Sequence, residues 1–582
     1  MKNTKGGADR LLRLMLPYRR KLLLCVLCVL AVNAAEIVKP LAAAEIIDGI
    51  LRGGRETRSF YSLEGVSAAY LLLALASTLF SILQVRLVTR VSQSILHELR
   101  EKVFARITRM TVAALDSYGT GRLITRATND VETINEFYSD VFLNLIKDAV
   151  LLVGIVAVMF SLDWRLAAAA FSGVPLIAAL TFAIRGLIKR NFRRMKQIVG
   201  QINGFFSETV QGMRIIRAFN READKLRDFR ALNAAYFHTT KTQVMLNSFL
   251  KPVMDVINNL VIALLVAVGW RLMTGGTLNV GLLYAFTTYA KQFFQPINDL
   301  AEKYTTVQSA LVSAERISGI LDEDRVEDPD AGSRRGRPRG VVEFRHVWFA
   351  YRGEDWVLKD LSFRLGEGEH IAFVGATGAG KTTVVSLLNR DYIPQKGTIL
   401  LDGVPLEDWR LEDLRGAMAA VLQEVFLFTG TVRENLDMFA GRSDEELRLA
   451  LETACADSFT EELGGLDAAV AEQGLNISAG QRQLLSLARA IAARPAILVL
   501  DEATAFIDSA TETLIRRSIR QVSSGRSSIF IAHRLSTVRE CDRIYVLSAG
   551  RITEAGDHAS LLALGGEYAR LVSAGEEGTD GE

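Results

Sequence analysis

The chain has 582 residues, with 68 Lys and Arg against 66 Asp and Glu. This near balance argues against a polyanionic partner, so no nucleic acid is expected, and four scattered cysteines exclude a disulfide framework. Apolar residues reach 49% but are unevenly spread: the long apolar runs fall in residues 1–320, whereas 341–582 has the texture of an α/β domain.

At the N-terminus, Arg10, Arg13, Arg19, Arg20 and Lys21 precede an apolar run that no small-residue cleavage site closes. The run is therefore expected to stay as a first membrane span. Cys25 and Cys28 form a C-x-x-C inside "LLLCVLCVLAV", where thiols serve as small apolar residues rather than a redox pair. A span needs about 20 mostly apolar residues. Residues 66–85 and 166–184 meet this cleanly, and 142–162 carries Lys147 and Asp148 near one end. Residues 22–47 carry Glu36, Lys39 and Glu45, and 256–290 splits into two spans at Gly275 and Gly276. Six spans are expected.

A charge at a span centre costs about 2.5–3.5 kcal/mol. Glu36 and Lys39, three residues apart, can pair on one helix face. That pattern fits a polar patch on a water-filled cavity or a span displaced toward an interface. Asn258, Asn259, Gln292, Gln295 and Asn298 fit cavity lining or helix packing equally well.

Segment 86–126 holds eight Lys and Arg and 185–230 holds twelve, against three in 52–58 and one in 163–165. The positive-inside bias places both long connections and both termini in the cytoplasm of a cell-membrane protein. Within 86–140 and 185–247, charged residues alternate with periodic Leu, Ile, Val and Phe, as expected of helical extensions beyond the bilayer. The domains expected are a membrane domain over 1–325, a polar linker over 326–340 with solvated arginines, and an α/β domain over 341–582.

In the last of these, "HIAFVGATGAGKTTVVSLL" reads as strand, Gly-rich turn and helix, and Gly375 to Thr382 fit G-x-x-x-x-G-K-[ST]. Backbone N–H groups of such a turn wrap phosphates, Lys381 reaches the terminal ones, and the Thr382 hydroxyl can hold Mg2+. "AILVLDEAT" reads as a buried parallel strand ending in Asp501, a metal ligand, and Glu502, a general base for the attacking water. "SSIFIAHRL" ends at His533 and "AAVLQEVFLF" reaches Gln423, both at the ends of strands. "NISAGQRQLL" adds a second anion-suited helix start, with Ser478 as its cap.

In this order the pieces resemble an ABC exporter half-transporter over nearly the full length. "GATGAGKT" is similar to the Walker A loop, "ILVLDE" to Walker B, Gln423 to the Q-loop, His533 to the switch histidine and "AFID" (505–508) to the D-loop. Tyr351 resembles the adenine-stacking aromatic, and "ISAGQ" (477–481) the LSGGQ signature. The resemblance implies six transmembrane helices with cytoplasmic extensions, followed by an α/β P-loop ATPase. ATP and Mg2+ are the implied cofactors, the lipid bilayer and a small amphipathic substrate the implied partners. The nucleotide would be held by Tyr351, Gly375, Ala376, Thr377, Gly378, Ala379, Gly380, Lys381, Thr382 and Thr383. The metal would be held by Thr382, Gln423 and Asp501, with Glu502, His533 and Gln423 acting in hydrolysis. Ser478, Ala479, Gly480, Gln481 and Asp508 would serve a nucleotide on the other chain. Short coupling helices are expected near 129–137 and 218–226.

One six-span chain with one ATPase requires a second half. Ala479 stands where the signature has Gly, and Ala505-Phe506-Ile507-Asp508 replaces a Ser-Ala-Leu-Asp type, while Glu502 is kept. The resemblance to Glu-retaining subunits implies a heterodimer whose other chain carries a degenerate site. A homodimeric lipid or drug flippase and an ATP-gated channel share the same motifs. A GTPase is disfavoured because no N/T-K-x-D guanine motif is present.

Overall fold

A computed structural model of the chain describes residues 4–51, 63–275, 278–501, 509–531 and 538–577. The chain divides into two compact units: Met1–Phe104 with Arg122–Asp322, and Ala105–Gly121 with Glu323–Glu582.

The first unit is helical, and all six apolar stretches fall on helices. They are Arg19–Leu51, Leu63–Ile107, a run that closes with Leu143–Leu162, Trp164–Phe171 with Gly173–Gln211, Glu222–Thr274, and Val280–Leu321. At 1.5 Å per residue the 53-residue helix Glu222–Thr274 is about 80 Å long. That is more than twice the hydrocarbon thickness of about 30 Å, so it must run on into water. Among the described residues, four helices carry an apolar window fit to cross a membrane, with mean hydropathy between 2.0 and 2.3. Helix Val280–Leu321 is long enough, but Lys291, Gln292 and Gln295 interrupt its apolar run. Helix Leu63–Ile107 buries only 6% of its most apolar window within the chain. Leu71, Leu72, Leu75 and Leu79 are each at least 60% exposed on it, a face suited to lipid.

Polar groups inside this unit join helices. Asn33, 1% exposed, donates to the Lys147 carbonyl (2.8 Å), and the Tyr289 hydroxyl donates to that of Ile37 (2.5 Å). Lys303 pairs with Asp148 across two helices, and Lys39 pairs with Glu36 at 2.6 Å within one. Asn258 and Gln292 each keep a buried side-chain oxygen without a hydrogen-bond partner, whereas Asn259 and Gln295 are exposed. Cys25 and Cys28 are buried apolar packing, as expected.

The second unit contains an excursion out of the helical half. Helix Val112–Tyr118 starts on Thr111, whose hydroxyl accepts the Ala114 N–H, and stops at Gly119 (φ 77°). Just before it, Met110 bridges antiparallel to Val326, with Thr111 N–H on the Arg325 carbonyl and Glu327 N–H on that of Arg109. Tyr118 donates to Glu323 (3.0 Å), and the neighbouring Arg325 guanidinium holds the Glu323 carboxyl down at about 2. Residues 129–137, expected as a short coupling helix, instead lie inside the long run that continues to Leu162. The isolated short helices are Val112–Tyr118 and Met213–Ala218; the second begins after Gly212 and ends before Asn220, which has φ 53°. A threonine cap marks the first, and Gly212 with the left-handed Asn220 bounds the second.

The rest of this unit is two sheets. β1 (Val342–Ala350), β2 (Trp356–Leu365), β4 (Lys396–Leu401) and β5 (Val404–Pro405) form an antiparallel sheet in the order β2-β1-β4-β5. β3 (His370–Val374), β6 (Met418–Val421), β9 (Ile497–Asp501), β10 (Ser527–Ile531), β11 (Arg543–Ser548) and β12 (Arg551–Gly556) form the second, ordered β12-β11-β3-β10-β9-β6. β7 (Gly430–Thr431) and β8 (Ala469–Val470) make a small ribbon. β3, β9 and β10 are buried along nearly their whole length, with apolar centres, because both of their faces are covered. One face packs Phe344, Phe363 and Phe373 beneath β1 and β2, and the other packs Leu484, Leu487 and Leu500 under the helices.

Gly281 marks a backbone contact between helices: a Cβ there would lie 2.1 Å from the Ala44 carbonyl oxygen, and its N–H donates to Asp48 (2.8 Å). Gly281→Ala is expected to lose about 1–3 kcal/mol, read as a lower thermal midpoint of the purified chain. Gly200→Ala, with nothing within 4 Å of the added methyl, is expected to be neutral or slightly stabilising.

Candidate functional site

The turn after β3 is shaped by two glycines. At Gly375 (φ 153°) a Cβ would stand 2.1 Å from the Leu547 carbonyl oxygen, and at Gly380 (φ 106°) it would stand 2.6 Å from Leu358. Only glycine lets the backbone pass here and then start helix Lys381–Leu388. The Ala379 N–H closes the turn on the Ala376 carbonyl (3.1 Å), leaving Ala376, Thr377 and Gly378 exposed along its rim. Lys381 is 6% exposed, and its ammonium folds back onto the carbonyls of Gly375 (2.5 Å) and Ala376 (3.2 Å). A cation is thus held against a glycine turn with an exposed rim, a setting suited to phosphate. Thr382 is exposed beside it, while Thr383 is buried with its hydroxyl 3.1 Å from that of Tyr351.

Tyr351 follows β1 and is 49% exposed, so one face is open to a planar partner. Its ring stands edge-on to Phe349 (4.9 Å) and Tyr392 (5.1 Å, 89°). The Tyr392 hydroxyl donates to Asp116 on the short helix Val112–Tyr118. Burial, reinforced by that carboxylate, pushes the Tyr392 phenol well above its usual range. Sequence reading named neither Tyr392 nor Asp116. The available signal was an aromatic two residues before Pro394, in "RDYIP".

The remaining groups gather along one sheet edge. Register pairs Ile531 with Asp501 and Leu500 with Val421. Asp501, 8% exposed, therefore ends β9 beside the end of β6, with exposed Gln423 two residues further on. Because β10 lies between β3 and β9, the phosphate turn, Asp501 and Gln423 all leave the carboxyl ends of neighbouring parallel strands. Glu502, His533 and Asp508 lie outside the described residues. The hydroxyl of Thr382, the amide of Gln423 and the carboxylate of Asp501 form a set of hard oxygen donors, which suits Mg2+.

The second anion-suited stretch opens helix Ala479–Ala492. The Ser478 hydroxyl accepts the Gln481 N–H (3.3 Å), and the Gln481 side chain accepts the Ser478 N–H (3.1 Å). This reciprocal box occupies both side chains. Ala479 is the first helical residue, with its methyl exposed, and Gly480 is buried behind it. Arg482 fixes the approach to the helix through the carbonyls of Gly474 (3.1 Å) and Ile477 (2.8 Å).

A phosphate cradle with a buried lysine on a parallel sheet, in a chain half made of membrane-length helices, defines a membrane-bound P-loop ATPase. Residues 22–297 match the family described as ABC transporter transmembrane region, and residues 358–505 match that described as ABC transporter. The chain is 36% identical over 567 residues to the ABC transporter ATP-binding protein exp8 of Streptococcus pneumoniae, covering 97% of this chain and 96% of that one. It is 32% identical to the ATP-dependent lipid A-core flippase of Syntrophus aciditrophicus, covering 97% and 93%. The solved structure of a bacterial Atm1-family ABC exporter with ATP bound aligns with a TM-score of 0.78 at 30% identity, covering 96% and 98%. The chain belongs to the ABC transporter family. It is an ATP-hydrolysing, multi-pass membrane transporter with the half-transporter architecture of an exporter, its ATPase domain in the cytoplasm.

Tyr392→Phe removes the hydroxyl from Asp116 and leaves the ring against Tyr351. With about 1 kcal/mol lost at this solvent-accessible bond, amides of Val112–Tyr118 are expected to exchange hydrogen roughly fivefold faster. Those of Lys381–Leu388 should be unchanged, as read by hydrogen-exchange mass spectrometry.

Proposed function

We propose that this chain is one half of a dimeric exporter that moves a hydrophobic or amphipathic substrate out of the cell by alternating access. The observation that carries this reading is the single sheet edge that aligns the Gly375–Thr382 turn, Asp501 and Gln423 in a chain whose other half is membrane-length helix. In this proposal, residues 1–325 are the membrane domain, 326–340 the linker and 341–582 the ATPase.

The roles follow from chemistry. Tyr351 stacks on the adenine, the backbone of Gly375–Thr383 receives the phosphates, and Lys381 swings from its two carbonyls onto the terminal phosphate oxygens. Thr382, Gln423 and Asp501 would hold Mg2+, which neutralises phosphate charge when bound. Glu502 takes a proton from the attacking water, and His533 and Gln423 position that water and the γ-phosphate. The exposed first turn at Ser478, Ala479, Gly480 and Gln481, with Asp508, meets the nucleotide of the other half. Closure of two such halves, favoured by shared nucleotide, then shifts the membrane helices between two states.

The other half is proposed to be a different chain with a degenerate site. The support is Ala479 with its methyl on the exposed turn, the Ala-Phe-Ile-Asp run at 505–508, and retention of Glu502. One observation favours a homodimer instead: Ala479 takes an ordinary first-turn position, outside the left-handed region, and so costs the cap nothing. Amphipathic cargo is supported by the lipid named for the flippase relative and by unpartnered polar oxygens of Asn258 and Gln292 among apolar helices.

ATPase measured on the chain purified alone and on the chain with a candidate partner separates the two assemblies. A heterodimer predicts slow turnover alone and substrate-stimulated turnover with the partner; robust cooperative turnover alone identifies the homodimer. In the active assembly, Glu502→Gln is expected to lower hydrolysis by a factor of about 10²–10⁴ with ATP binding retained. Tyr351→Ala is expected to weaken ATP binding by about 1–3 kcal/mol and Tyr351→Phe to restore it, measured by titration with a fluorescent nucleotide. Uptake of a fluorescent lipid into sealed vesicles tests transport, and passive ATP-gated current without uptake would point to a channel.

A further inference from the structure

We propose that a cavity at the far end of the ATPase sheet, walled by Arg337, Arg339, Arg494 and Arg526, binds a small phosphate-bearing anion. The cavity holds about 350 Å³ and also borders Glu367 and Ser527. Its residues immediately precede β3, β9 and β10, so it opens at the amino ends of the strands whose carboxyl ends carry the nucleotide turn. The two sites are therefore separate.

Sequence reading expected the linker arginines to be merely solvated. Instead, Asp402 accepts the backbone N–H groups of Arg339 (2.6 Å), Gly340 (3.2 Å) and Val341 (3.0 Å), which fixes the linker at the cavity wall. Arg337 donates to the Arg494 carbonyl, and half-buried Arg526 to that of Val522 (2.9 Å). Ser527, at the floor, accepts the Gly368 N–H and donates to the Gly366 carbonyl, both at 3.0 Å.

The charge is one-sided. Four arginines and one carboxylate, Glu367, line the cavity, and the Asp402 carboxylate at its wall accepts linker backbone N–H groups. Arg494 also pairs with Glu446 (3.0 Å), but among the described residues no ion pair engages Arg337, Arg339 or Arg526. Burial and the nearby Arg337 lower the Arg526 guanidinium below its usual range, so like charges are held together against their repulsion. An anion with several oxygens would relieve that cost, and the planar fork of arginine matches phosphate geometry. The volume lies at the small end of the roughly 300–1,000 Å³ typical of ligand pockets. That favours a phosphomonoester or pyrophosphate over an extended polymer. Such a group can belong to a soluble metabolite or to an anionic lipid headgroup.

The test uses the full chain carrying Lys381→Ala, so that the nucleotide turn does not respond. Arginine reactivity toward phenylglyoxal is mapped by mass spectrometry, with exposed Arg517 as the reference. The probes are inorganic pyrophosphate in detergent, and nanodiscs of phosphatidylcholine with or without phosphatidic acid, whose headgroup is a phosphomonoester. Arg337 and Arg526 are expected to react about tenfold more slowly at saturating probe, with Arg517 unchanged. Protection by pyrophosphate assigns a soluble ligand, and protection only with phosphatidic acid assigns a lipid headgroup. Unchanged rates with both probes, or equal protection of Arg517, overturn the site. The exposed pair Arg337→Gln with Arg339→Gln is expected to abolish heat stabilisation by the protecting probe; an undiminished shift would also overturn it.

Discussion

Hydrocarbon offers a peptide group no hydrogen-bond partner, so each segment that crosses it must satisfy its own backbone as a helix. The apolar stretches of the first unit are helical apart from a break at Ser172, and helices of up to 53 residues carry the ladder well past the bilayer. Turns, cradles and strained backbone are affordable only beyond that boundary. The division of labour in the chain follows: helices in lipid, and chemistry at the edge of a sheet in water.

The first long interruption shows what this allows. At Ala105–Gly121 the chain leaves the helical unit and joins the ATPase unit, held by a backbone bridge to Arg325–Glu327 and by Tyr118 on Glu323. Glu327 is in turn gripped by both terminal nitrogens of Arg415 at 2.7 Å. Asp116 then meets Tyr392, whose ring stands against Tyr351, at the rim of the phosphate turn. A short path of packed rings and charge-assisted hydrogen bonds thus runs from the nucleotide rim to the excursion, all within one unit.

Polar residues in the membrane half serve two ends. Asn33 and Tyr289, on backbone carbonyls of neighbouring helices, and the Lys303–Asp148 pair tie helices together. Asn258 and Gln292, like Asn33, carry a buried oxygen with no hydrogen-bond partner, which is costly in an apolar setting. In the sequence Asn258, Asn259, Gln292 and Gln295 were indistinguishable; only packing separates Asn258 and Gln292 from exposed Asn259 and Gln295.

Much was legible locally. Twenty-residue apolar runs, the Gly375–Thr382 pattern and the apolar strand before Asp501 carry their physics in adjacent residues, and each formed where expected. The helix start at Ser478 was legible for the same reason: a cap and its partner are three residues apart. What the linear order hid depends on residues far apart. The short helix at 112–118 was mislaid to 129–137 because its stops are a threonine cap and one glycine, weak signals beside a charged helical run. Tyr392 gained meaning only from Asp116, and Arg337 only from Arg526, since an edge-on ring contact or a cluster of like charges exists when the fold brings distant side chains together. Local periodicity and turn chemistry are encoded by neighbours in sequence, whereas proximity across the sheet is decided by packing alone.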